Sequence, residues 1–283
     1  MTWPRRSSFS LPRLPAGSTG RYWRLTKATA QGISLADISR AESLPRSTAH
    51  RILKCLVEEG FVEHPANSRH FQMGGLAYEL GLAVSRGVLD VARRRDVIDS
   101  VARRTGVTSY LMRRSGVEAV CLVKAEGTSV VRVIPVEVGQ RRLLGVGAGA
   151  TALLAALDAQ TCERVMETIT PGLRNHPRIT VEVLRKTVKE SRATGFAISQ
   201  GRVVEESFGI GLIIPDAHTT LSLAVSIAAH MSVVSEANIT KWKRILAEEV
   251  QAAVAHPRKL RQSAFDRRQV GKMLRGLVVF LFS

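Results

Sequence analysis

The chain has 283 residues, 45% of them hydrophobic, and carries 41 Lys+Arg against 24 Asp+Glu, a formal net charge of +17. That length allows two domains of ordinary size, and the cationic excess favours polyanion partners, nucleic acid first and an anionic membrane surface next. Cys55, Cys121 and Cys162 are odd in number and lack C-x-x-C spacing, which argues against a disulfide framework or a cysteine zinc site and fits a reducing compartment.

Much of the charge sits at the two ends. Residues 1–30 hold Arg5, Arg6, Arg13, Arg21, Arg24 and Lys27 with no acid, and beyond Pro257 the cations face Asp266 alone. Charge by itself therefore does not decide the function. No apolar run reaches the roughly 18 residues of a membrane-spanning helix. Arg5-Arg6 is followed by Pro12, Arg13, Pro15 and Gly17 where a twin-arginine export signal needs an apolar stretch. A cytoplasmic protein is expected, with no membrane partner.

In chain order, residues 1–19 read as a disordered basic arm rich in Pro, Ser and Arg. A helix is expected at 19–31, ended by Gly32. Ser34 can cap a second helix over 35–42, and Pro45 suits the first turn of a third that Gly60 stops. On a wheel of 3.6 residues per turn, Ala49, Ile52, Leu53, Leu56 and Val57 of this third helix share one face. Ser47, Arg51 and Lys54 lie opposite, with Thr48 and His50 on the flanks. That polar face holds cations and hydroxyls, which suits a groove lined by phosphates and base edges and makes the pair a candidate helix-turn-helix. Extended runs at 61–63 and 69–73 around His64-Pro65-Ala66-Asn67-Ser68 read as a hairpin of the kind that forms a wing. The candidate DNA contacts are Arg46, Ser47, Thr48, His50, Arg51, Lys54 and, in the wing, Arg69. Arg46 favours a phosphate at the helix start, and Arg51 can take guanine O6 and N7 bidentately. Arg13, Arg21 and Arg24 of the arm are candidates for the backbone or minor groove.

Helices follow at 76–86 and 90–105, and then the character changes. Strands are expected at 109–112, 118–124, 129–136, 208–215 and 220–229, and helices at 150–157, 159–168, 180–194 and 236–254. An antiparallel sheet with helices packed on it, α+β in class, is the economical arrangement.

Gly145-x-Gly147-x-x-Ala150 satisfies a loose dinucleotide fingerprint but follows a turn at 139–142 and lacks the βαβ context. It reads better as a loop whose backbone N–H groups can hold an anion, such as a ligand carboxylate, at the start of the next helix; close helix–sheet packing is the other reading. The seven histidines show no metal-ligand spacing, Glu205 and Glu206 are adjacent and so point apart, and no G-x-S-x-G or P-loop is present. No catalytic residue, metal or cofactor is assigned.

The order of these parts resembles the IclR family of bacterial transcriptional regulators over residues 20–255. The resemblance rests on 44–53 (Leu-Pro-Arg-Ser-Thr-Ala-His-Arg-Ile-Leu), on Glu58-Glu59-Gly60-Phe61-Val62 and on Ala193-Thr194-Gly195-Phe196-Ala197. It implies a winged helix-turn-helix (20–74), a linker helix that pairs subunits (75–89), a GAF-like effector-binding domain (90–255) and a basic tail (256–283). It also implies a homodimer or homotetramer on double-stranded operator DNA, acting as repressor or activator. By resemblance, a small-molecule effector meets Gly147, Ala148, Gly149, Ala150, Thr151, Ser207, Gly209, Gly211, Ser222 and Ser226. The resulting expectation is a DNA-binding transcriptional regulator modulated by an effector, an organic acid. The rival readings are an enzyme with a cofactor on the glycine-rich loop, and a basic nucleic-acid-binding module without ligand sensing.

Overall fold

The computed structural model describes residues 32–87, 91–131, 136–215 and 222–255. The expected arm, the helix at 19–31 with Arg21 and Arg24, and the basic tail lie outside the described residues.

The amino-terminal unit begins with β1 (Ile33–Ser34) and α1 (Leu35–Glu42), followed by α2 (Arg46–Glu58), β2 (Val62–Glu63) and β3 (His70–Met73). Ser34 accepts the Asp37 N–H at 3.2 Å, and so caps α1. The turn between the helices closes through Leu44 N–H to Ser39 O at 3.0 Å and Ser39 Oγ to Leu44 O at 2.6 Å. Ser43 there has φ 54°, the left-handed conformation that ends α1. The three strands pair antiparallel in the order β1-β3-β2, so the hairpin joining β2 to β3 is the wing. A small core of Leu53, Val62 and Phe71, edged by Leu35, Ile38, Leu56 and Val57, binds helices to sheet.

One position departs from the wheel. Ile52 is 46% exposed, whereas Ala49 and Leu53 are 1% and 4% exposed. Ile52 sits at the edge of the apolar arc, and the small sheet covers only the arc's centre.

After α3 (Gly75–Gly87) and α4 (Val91–Thr105) comes a larger α+β unit. Its strands are β4 (Thr108–Ser115), β5 (Glu118–Ala125), β6 (Arg141–Leu143), β7 (Ala197–Gln200), β8 (Ser207–Ile214) and β9 (Leu223–His230). They form one sheet in the order β6-β5-β4-β9-β8-β7, antiparallel at every pairing. The helices are α5 (Ala148–Ala155), α6 (Ala159–Ile169), α7 (Val181–Thr194) and α8 (Glu236–Ala255). Alternation along the strands divides the interior into two layers. Tyr110, Met112, Ala119 and Cys121 face the core that holds α5, α6 and α7. Leu111, Val123, Val225 and Ile227 face the core that holds α4 and α8, where Trp242 Nε1 donates to Thr105 O at 3.1 Å.

Three strands were not expected from the sequence, β1, β6 and β7. The expected strand at 129–136 does not form in its described part: Ser129 N–H donates to Gly106 O and Ser129 Oγ to Val131 O, and the chain bends there.

Candidate functional site

Two regions gather the candidate residues. The first is the outer face of α2. Arg46, Ser47, His50, Arg51 and Lys54 are exposed, Thr48 is half-buried and Arg69 is exposed in the wing. Lys54 pairs with Glu58 at 3.8 Å, but both side chains are well exposed, so the pair is weak and leaves the ammonium available. Pro45 precedes α2 and gives no side-chain cap, which leaves the first backbone N–H groups of the helix open to an anion. In the wing the His64 ring stacks on Phe71 with centroids 4.3 Å apart, anchoring the hairpin to the small core.

The second is a cavity of about 80 Å³ at the amino end of α5. That space exceeds the roughly 10–15 Å³ that one water needs, so a small organic molecule fits. Its geometry comes from the glycine-rich run. Gly145 and Gly147 have φ of +88° and +89°, turning the chain from β6 into α5. Thr151 Oγ1 locks that turn by donating to Gly147 O at 2.8 Å and Gly145 O at 3.1 Å. α5 then lies directly on the sheet. A Cβ on Gly149 would fall 2.7 Å from Ser226 Oγ, and one on Gly211 would fall 2.3 Å from Ala148 O.

Of the sequence candidates, Gly147, Ala148, Gly149, Ala150, Ser207, Gly209 and Ser226 line the cavity. Thr151, Gly211 and Ser222 do not: Thr151 fastens the turn, Gly211 admits α5 to the sheet, and Ser222 precedes β9. The lining also includes Tyr110, Met112, Arg142, Ser199, Val203 and Val204, which sequence reasoning missed. Alternation within β4 could have flagged Tyr110 and Met112 once the buried face was known. Nothing in the sequence set Arg142 against the α5 loop before β6 paired with β5.

Electrostatics at the cavity are one-sided. Among the described residues, Arg142 is the one in the lining that carries a charge, and no carboxylate lines the space. Burial pushes the Arg142 guanidinium below its usual range, against smaller opposing effects of Tyr110 and Cys121. Burial likewise raises the Tyr110 phenol and pushes the Cys121 thiol up to about 12. His176, close enough to feel Arg142, is shifted down by its own burial and by that charge.

One wall is a strap of residues 201–206 between β7 and β8, which contributes Val203 and Val204. Its acids do point apart: Glu205 pairs with Arg178 at 2.7 Å, and Glu206 Oε2 lies 2.9 Å from His230 Nε2. Among the described residues no group of His, Cys, Asp and Glu is arranged to hold a metal ion, and no helix is long and apolar enough to cross a membrane.

Comparison with known proteins adds independent findings. Residues 83–256 match the family described as bacterial transcriptional regulator IclR C-terminal, and residues 26–66 match the IclR helix-turn-helix domain. The chain is 25% identical over 202 residues to the HTH-type transcriptional regulator KipR of Bacillus subtilis, covering 69% of this chain and 78% of that one. It is 23% identical over 260 residues to the transcriptional repressor IclR of Escherichia coli, covering 84% and 92%. Among solved structures, an IclR homolog complexed with 4-hydroxybenzoate from Microbacterium hydrocarbonoxydans superposes with a TM-score of 0.63 at 20% identity, over 83% of this chain and 98% of that one. At that identity the superposition speaks for the fold.

Proposed function

The chain belongs to the IclR family of bacterial transcriptional regulators, and from that premise we propose that a small organic acid in the α5 cavity sets its affinity for operator DNA. The matched family and relatives are transcriptional regulators, not enzymes, and the chain is a regulator with a helix-turn-helix and an IclR-type carboxy-terminal domain. The effector reading is carried by one observation: among the described residues, the cavity at the α5 amino end has a cation and no carboxylate in its lining. Backbone N–H groups and the positive helix end favour an anion there, and the apolar side chains around it favour an organic one. The relative bound to 4-hydroxybenzoate supports the same ligand class.

On DNA, α2 enters the major groove with Arg51 as the base reader, and Arg46, Ser47, Thr48, His50, Lys54 and the wing's Arg69 position it on the backbone. The division proposed is an arm at 1–19, the DNA-binding domain at 20–74, a linker helix at 75–89, the effector domain at 90–255 and a tail at 256–283. Pairing of two copies through α3 is supported by Tyr78 and Leu82, one helical turn apart and 70% and 37% exposed. The acid acts by differential binding: it favours one spacing of the paired winged helices over another, and operator affinity follows.

The test is a selection of DNA sequences bound by the purified chain, then titration of the recovered operator with and without a panel of small acids. A change in operator affinity with one acid and not with its amide supports the reading. Unchanged affinity across the panel overturns the effector part, and recovery of no preferred sequence overturns the operator part.

A further inference from the structure

The polar groups around the cavity are not equally provided for. Arg141 and Arg142 are consecutive in β6, so their side chains leave opposite faces of the strand. Arg141 donates to Glu118 Oε2 at 2.7 Å and to Ser115 Oγ at 2.8 Å. Arg142, half-buried, turns to the cavity, and among the described residues no hydrogen bond or ion pair engages its guanidinium. The acids nearby are committed elsewhere: Glu118 to Arg141, Glu137 to Lys124 and Glu205 to Arg178. Tyr110, also in the lining, is 4% exposed, and its buried hydroxyl has no hydrogen-bond partner among the described residues. Arg142 lies close enough to Tyr110 to influence its ionisation, and Arg142 Nη1 is 3.7 Å from where a Cβ on Gly147 would be. An unpaired guanidinium, an unpaired phenol and the open end of α5 therefore meet at one space.

Leaving either group unpaired in partial burial is costly, and most such groups in folded proteins have partners. The partner they both fit is an oxyanion with two acceptor atoms. Building on the organic-acid reading above, we propose that Arg142 and Tyr110 are the side chains that read the effector. The guanidinium pairs with the carboxylate of the acid, and the Tyr110 O–H donates to the same carboxylate, beside the α5 N–H groups. Without ligand the chain carries both groups uncompensated, so recognition and the instability of the empty site have the same origin.

The experiment uses the full chain with Arg142→Met, Arg142→Lys and Tyr110→Phe, titrated with propionate, pyruvate and benzoate and with the matching amides. Thermal unfolding is followed in parallel without ligand. The wild-type chain is expected to bind at least one acid more tightly than its amide. Arg142→Met should weaken that acid by about 30-fold or more, since one partner of a desolvated charge pair is lost. Arg142→Lys should keep part of the affinity, having the charge without the planar fork. Tyr110→Phe should cost about 10-fold, the loss of one hydrogen bond to a charged group. Without ligand, Arg142→Met and Tyr110→Phe should melt at or above the wild-type temperature, which a structural role for either side chain does not allow. Acid binding that survives in Arg142→Met, or a ligand-free Arg142→Met that melts well below wild type, overturns the assignment and leaves the organic-acid reading standing. Failure of every acid to bind wild type overturns that reading and the assignment with it.

Discussion

At Arg51 recognition and folding are separable. The side chain is exposed on the face of α2 opposite Ala49 and Leu53, so Arg51→Ala should leave the melting temperature unchanged. It should cost about 1–3 kcal/mol of discrimination at one base pair, measured as the ratio of operator to random-DNA affinity in a mobility shift. Gly211 is the reverse case, a packing residue behind the cavity lining. A methyl there meets the Ala148 carbonyl at 2.3 Å, backbone against backbone, so Gly211→Ala should destabilise the effector unit by about 1–3 kcal/mol in a denaturant melt. The cysteines differ by burial. Cys121, with its thiol pushed up to about 12, and the buried Cys162 should resist a thiol reagent at neutral pH, while half-buried Cys55 reacts. Counting labelled thiols in native and unfolded chain checks this. Such distinctions were partly legible in the sequence. The polar stripe of α2 could be read from spacing, because 3.6-residue periodicity is local information. Arg142 could not, since its position depends on which strand β6 pairs with.

Among the elements, α1 shows how a short helix is fixed by its ends. Ser34 Oγ accepts the Asp37 N–H and donates to Asp37 Oδ2 at 2.7 Å. That hydrogen bond, and Arg40 beside it, hold the Asp37 carboxyl below its ordinary range. A depressed folded-state pKa contributes stability above the unfolded value and loses it as pH falls through the folded one. Ser34→Ala should therefore unfold at lower urea than wild type at neutral pH, and the gap between variant and wild type should narrow in strong acid. Comparing their urea midpoints at the two pH values reads it directly. The elements with strong periodicity or sharp punctuation, α2, the wing, β5 and α8, match the reading from sequence within a residue or two. β6 escaped because Gln140, Arg141 and Arg142 are polar, and its hydrogen bonds to β5 hold it without an apolar signature. The glycine run, an anion loop by its sequence, also serves packing: α5 begins two residues earlier than expected because Gly149 and Gly211 let Ala148 close onto the sheet.

At the scale of the whole molecule, α+β class and the winged helix followed from element order. Which residues of the sheet share a cavity did not, because strand order places β9 between β4 and β8 although it comes last in the chain. The exposed Tyr78 and Leu82 of α3 give the proposed pairing a direct test. Tyr78→Glu with Leu82→Glu should shift the chain toward monomer in sedimentation, with the effector unit's melting temperature unchanged. Operator affinity should fall by more than any single phosphate contact accounts for, since a paired site binds two winged helices at once. A double variant that sediments like wild type would place the subunit contact elsewhere.

The close approach of Gly211 to the Ala148 carbonyl also constrains the cavity mechanically. On that side helix and sheet are already in contact, so the wall is stiff. The strap that carries Val203 and Val204 is held as well: Arg178 pairs with Glu205, Arg202 donates to Thr187 Oγ1, Gly201 N–H donates to Ser207 O at 2.8 Å and Met231 N–H to Glu206 O at 2.9 Å. The chain should then sort acids by shape near the carboxylate, where Val203 Cγ2 and Arg142 Nη1 lie 3.9 Å and 3.7 Å from where a Cβ on Gly147 would be. Within a homologous series, affinity should drop abruptly for a branch next to the carboxyl carbon, read by calorimetric titration.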